Sequence, residues 1–100
     1  MIDVHCHFDM AKNPEKYISS NEKRQIITIG MTNLPSHFQM GINHVKRYKY
    51  IRIALGLHPL RAKEHEKEYL KFRQCVNETS YIGEVGLDFS REGFSTKEIQ

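Results

Sequence analysis

Polar and apolar residues alternate strictly from Ile2 to Asp9, with Ile2, Val4, Cys6 and Phe8 on one side and Asp3, His5, His7 and Asp9 on the other. A period of two is the mark of a β-strand, so the pattern predicts a first strand across these residues. Asn13-Pro14-Glu15 then reads as a helix opening, with an N-cap, a proline at the first helical position and an early acid, and a short helix is expected to about Lys23. Residues 25–31 are isoleucine-rich and predict a buried second strand. Thr32-Asn33-Leu34-Pro35 breaks it and starts a second helix, with Phe38, Ile42 and Val45 as its apolar stripe. That helix is expected to close in the basic-aromatic run of residues 46–50.

Residues 50–57 predict a third strand, ended by Gly56-Leu57-His58-Pro59. From Ala62 to about Asn77 the pattern becomes helical, with Tyr69, Phe72 and Val76 as the apolar face and residues 64–68 as a solvated face. Residues 80–85 predict a fourth strand that runs into Gly86-Leu87-Asp88-Phe89. Ser95-Thr96-Lys97-Glu98 fits a capping box that opens another helix. Strands alternating with helices imply parallel pairing and right-handed crossovers. The expected fold is therefore α/β: the N-terminal half of a (β/α)8 TIM barrel, with four parallel strands in one domain over residues 1–100, where eight such units make a complete barrel.

Composition narrows the class. One hundred residues, 39% hydrophobic and 27% charged, fit one small globular domain, and no apolar run approaches the roughly 20 residues of a membrane span. A strand-like segment at residue 2 leaves no room for a secretory leader, and two cysteines without metal-knuckle spacing agree with a reducing compartment, so a cytoplasmic, membrane-free protein is expected. Cys6 and Cys75 read as packing thiols. A net charge of +3 and a pI near 8.9 tolerate a polyanionic substrate without demanding one.

The candidate chemistry sits at strand ends. Two imidazoles two residues apart on a strand, His5 and His7, point the same way and can share one metal ion, and neighbouring carboxylates favour magnesium or manganese over zinc. His58, fixed in extended geometry before Pro59, projects from a rigid base. Glu84 is expensive to bury in a parallel strand unless a cation or donor meets it. His37 and His44 lack a carboxylate partner and read as partly exposed helix residues. His65 reads as solvated and is not a ligand candidate.

Taken together, residues 2–9, Gly56-Leu57-His58-Pro59 and Ile82-Gly83-Glu84-Val85-Gly86-Leu87-Asp88 resemble the three N-terminal signatures of the TatD-type metal-dependent deoxyribonucleases, TIM-barrel members of the amidohydrolase superfamily. The resemblance implies that His5 and His7 bind one ion of a two-ion magnesium or manganese site and that Glu84 lies close to or bridges the metals. It places His58 by the substrate phosphate, and Asp88 supports the site beside Glu84 in catalysis. Arg61 stands near enough in sequence to His58 to meet a phosphate. The implied activity is hydrolysis of DNA phosphodiesters, on single strands or ends, in some relatives within phage-defence operons. The family's remaining ligands come from the second barrel half. The 100 residues alone are therefore expected to be inactive and to pair with that half, with another subunit or with themselves through open strand edges. A small-molecule amidohydrolase and a non-catalytic interaction module are the competing expectations.

Overall fold

A computed structural model describes residues 1–100. Four strands, β1 (Ile2–Cys6), β2 (Ile27–Met31), β3 (Ile51–Leu57) and β4 (Ile82–Val85), alternate with helices α1 (Pro14–Lys23), α2 (Pro35–Val45) and α3 (His65–Cys75). All three strand pairings are parallel and the sheet order is β1-β2-β3-β4. This is the curled α/β half-barrel that the alternation of patterns implies. No helix is long and apolar enough to cross a membrane.

The core lies between β3 and the helices. Phe38, Ile51, Leu55 and Cys75 are fully buried, and Phe8, Ile18, Val45 and Ile53 complete the cluster. A buried polar link ties α1 to β2: Asn21 Nδ2 donates to Thr28 Oγ1 (3.0 Å), whose hydroxyl donates to the Ile26 carbonyl (3.2 Å). α1 starts where its signals place it, with Asn13 Oδ1 accepting from the Lys16 N–H at 3.0 Å.

Several local expectations are corrected. The first strand stops at Cys6, because Phe8 turns inward and residues Phe8–Met10 form a 3-10 turn closed by Met10 N–H to the His7 carbonyl at 3.0 Å. Gln25 is not in β2. Its φ of 56° closes α1, and the Ile26 N–H returns to the Asn21 carbonyl at 2.9 Å.

α2 ends at Val45, short of the basic-aromatic run. That run is held by α1: Arg47 and Tyr48 bond Glu15, and the Lys49 and Tyr50 N–H groups both donate to the Glu22 carboxylate at 2.8 Å.

The largest correction concerns α3. Residues Pro59–Glu64 form a kinked 3-10 turn, the α-helix begins only at His65, and of its expected apolar face only Phe72 packs against the core. His65, Glu68 and Cys75 are buried, whereas Tyr69 and Val76 are exposed. Glu68 is thus no solvated residue: its Oε2 accepts the Ser36 N–H at 2.9 Å, capping α2 from outside, and Lys71 meets its Oε1 at 3.1 Å. The capping box at Ser95 opens no α-helix. Residues Phe94–Thr96 make a single 3-10 turn, fastened by the Gln100 side chain, which donates to the Asp88 and Gly93 carbonyls at 2.9 Å each.

Candidate metal centre

Two glycines let the strand ends approach closely enough to build a site. A Cβ at Gly30 would stand 2.0 Å from the Phe8 ring, so Phe8 lies against β2 there and pins the chain one residue beyond His7. A Cβ at Gly56 would stand 1.7 Å from the Thr32 carbonyl oxygen. Without one, the Gly56 N–H donates to Thr32 Oγ1 (3.2 Å) and that hydroxyl donates to the Ala54 carbonyl (2.8 Å). Two residues later the His58 N–H reaches the Asn33 carbonyl at 2.9 Å.

Three imidazoles converge on one carboxylate at this rim. Glu84 Oε2 lies 3.3 Å from His7 Nε2, and Glu84 Oε1 lies 3.6 Å from His5 Nε2 and 3.9 Å from His58 Nε2. The His5 and His7 rings meet edge to face with centroids 5.3 Å apart. His5 is the open side of the group, its side chain 56% exposed, while those of His7, His58 and Glu84 are about half as accessible.

The donor set fits a divalent cation. Ligand atoms of His5, His7 and Glu84 all lie within 4.8 Å of one another, whereas two donors each about 2.1 Å from a shared ion are at most about 4.2 Å apart, so a rotamer-scale closure suffices. Glu84 Oε2, His7 Nδ1 and Asn33 Oδ1 are buried without a hydrogen-bond partner. Each orphan costs about 1–3 kcal/mol if left unsatisfied, and His7 and Glu84 both belong to the donor set. Two nitrogen donors and one carboxylate suit zinc, manganese and magnesium in descending order of nitrogen preference.

The remaining expected site residues are placed differently. Asp88 lies outside the cluster and accepts the Ser90 N–H at 2.8 Å. Hydrogen bonding from Ser90, side chain and then backbone, holds its carboxyl below the usual range, with the His58 charge adding to the effect. The Arg61 guanidinium is taken by Glu64, which receives Nε at 3.1 Å and Nη2 at 2.9 Å. Cys6 contacts Tyr17 Oη at 3.4 Å, and burial first of all raises its thiol pKa. A cavity of about 530 Å³ lies elsewhere, between α1 and α2, lined by Phe8, Ile18, Met40, His37 and His44 among others. It holds none of the clustered ligands.

Asn33 is the rim residue that sequence patterning passed over. The signal available was its position just past β2, level with the other strand ends.

Comparison with known proteins agrees with this geometry. The profile described as TatD related DNase matches residues 2–100. An uncharacterized metal-dependent hydrolase of Methanocaldococcus jannaschii is 27% identical over 104 residues, covering 97% of this chain and 41% of its own length. An uncharacterized metal-dependent hydrolase of Buchnera aphidicola subsp. Baizongia pistaciae is 24% identical over 106 residues, covering 97% and 40%. The chain spans about two fifths of the length of these curated relatives.

Proposed function

This chain belongs to the TatD related DNase family, and from that premise we propose that it supplies half of the active-site rim of a metal-dependent hydrolase acting on DNA phosphodiesters. The observation that carries the reading is the Glu84 carboxylate ringed by His5, His7 and His58, with ligand-type atoms left unpartnered. His5 and His7 would hold the ion, with Glu84 as the third donor that this chain supplies. A divalent ion, when bound, polarises a phosphoryl oxygen and acidifies water.

The chain's own residues do the rest of what this half contributes. His58, beside Glu84 but tied to its own turn, directs Nε2 toward the anionic oxygen of a phosphodiester. Asp88 stays ionised and serves as electrostatic support for His58 rather than as a proton donor. Arg61 is a substrate contact only after release from Glu64. The mildly basic charge favours a polyanion.

The activity itself belongs to a whole barrel in which β1 and β4 gain neighbours. Both edge strands expose apolar side chains, which supports strand pairing with a further segment, a second protein or another copy. The two free cysteines suit a reducing compartment.

Manganese titration calorimetry tests the metal reading. His7→Ala and His5→Ala are expected to weaken binding at least about tenfold, since even outer partners of metal ligands are worth 10–100-fold. Affinities equal to the wild type overturn it. For the substrate, binding of a labelled single-stranded oligonucleotide is expected to fall steeply with salt as phosphate contacts release counterions, and a flat salt dependence removes DNA from the reading.

A further inference from the structure

His58 and His65 meet across the kinked turn Pro59–Glu64. His65 is buried, and its Nε2 lies 2.9 Å from the His58 carbonyl oxygen. A carbonyl only accepts, so this nitrogen carries a hydrogen. The same carbonyl accepts the Arg61 N–H at 2.9 Å, and the His58 N–H is spent on the Asn33 carbonyl.

The ring of His58 is held as well: its Nδ1 lies 3.1 Å from the Leu60 N. A backbone N–H only donates, so Nδ1 is bare and the proton of the neutral ring sits on Nε2, the atom that faces Glu84. The Leu60 amide keeps its aim only while the peptides on either side of Pro59 hold their orientation. The turn is kinked at Arg61, which departs from helical geometry (φ −100°, ψ 23°) although its N–H still reaches the His58 carbonyl.

We propose that His65 is a positioning residue: its Nε2–H bond to the His58 carbonyl fixes the Pro59 turn, and the fixed turn keeps His58 in the tautomer that offers an N–H donor to an anionic oxygen at the rim. His58 then reads substrate and is not a third histidine ligand of the ion. This rests on reading the His5, His7 and Glu84 rim as the reactive site, yet the tautomer is a property of the chain without substrate and is measured on its own.

The test is long-range 1H–15N spectroscopy of the histidine rings in the full chain at about pH 8, where ordinary histidines are neutral. Wild-type His58 is expected as nearly pure Nε2–H. His65→Leu removes the donor at similar bulk and should give a mixed tautomer, while His65→Gln, which retains a side-chain N–H, restores the pure form. Inorganic phosphate followed at the His58 ring should bind about fivefold more weakly in His65→Leu, the effect of one neutral hydrogen bond.

An Nδ1–H ring in the wild type overturns the proposal, as does a His65→Leu variant with unchanged tautomer and phosphate affinity. Should His65→Leu fail to fold, a mixed tautomer in folded His65→Gln overturns it and a pure one supports it. Zinc added to the wild type and followed at His5 and His7 reports on the metal reading separately, so either idea can fail while the other stands.

Discussion

The middle of the sheet and its two edges are built by different rules. β2 and β3 pair in continuous register from Thr28↔Ile51 to Met31↔Ala54, and Thr28, Ile51, Ala54 and Leu55 are fully buried. β1 and β4 each pair with a register shift and leave Ile2, Val4, Ile82 and Val85 at least 49% exposed. Yet the edges carry His5, His7 and Glu84. In a flat sheet, strands separated by two others lie about 14 Å apart, so the 3.3 Å approach of His7 to Glu84 requires the curl that brings both edges toward one axis. Packing resides in strands that have no slack, and chemistry in strands that do.

Three substitutions probe this contrast, in falling order of effect. Phe38→Ala strikes the fully buried side chain with which α2 covers the middle of the sheet and should cost about 3–5 kcal/mol in urea denaturation. A loss below about 1 kcal/mol would mean that the middle is no better packed than the edges.

Glu68→Gln tests the polar bolt behind it. Burial raises the Glu68 carboxyl, but the Ser36 N–H and Lys71 outweigh it and hold the group below the ordinary range. A carboxyl lowered in the folded state contributes stability above its unfolded pKa, near 4.3, and loses it as pH falls through the folded value. The variant should therefore be about 1.5–3 kcal/mol less stable at neutral pH, as expected for hydrogen bonds to a charged group. The gap should close in acid. Denaturation at neutral and acidic pH checks this, and a gap independent of pH would assign the loss to packing.

Val4→Thr keeps β-branching on an exposed edge position and should change stability by no more than about 0.5 kcal/mol. A larger loss in the same assay would show that β1 is covered in solution and would blur the distinction between edge and middle.

What could be read in the sequence follows from range. The convergence of His5, His7, His58 and Glu84 at one rim was legible because local rules put each at a strand end: alternation on a strand, a histidine before proline, an acid among apolar strand residues. The half-barrel was legible because strands and helices alternate along the chain. Burial of His65 and Glu68 was not, since their partners, the His58 carbonyl and the Ser36 N–H, belong to other elements. A run reading Glu-His-Glu-Lys-Glu carries no local trace of either contact. The face of α3 was legible only in part: Phe72 packs against the core as its spacing suggests, but the helix docks with His65, Glu68 and Cys75 inward, which leaves Tyr69 and Val76 exposed. Ser95 has the residues of a capping box, but the Gln100 side chain offers the nearby carbonyls a competing donor.

The simple strand order also sets a sequence in time. Each strand pairs with its neighbour in the chain, so β1 can dock on β2, and β2 on β3, while later residues are still being synthesised; domains gain structure from the N-terminus onward in this way. His5 and His7 emerge with β1 and Glu84 only with β4, so these three side chains can meet only after all four strands have been made. The coming together of His5, His7 and Glu84 therefore marks the moment at which β4 joins the other three strands.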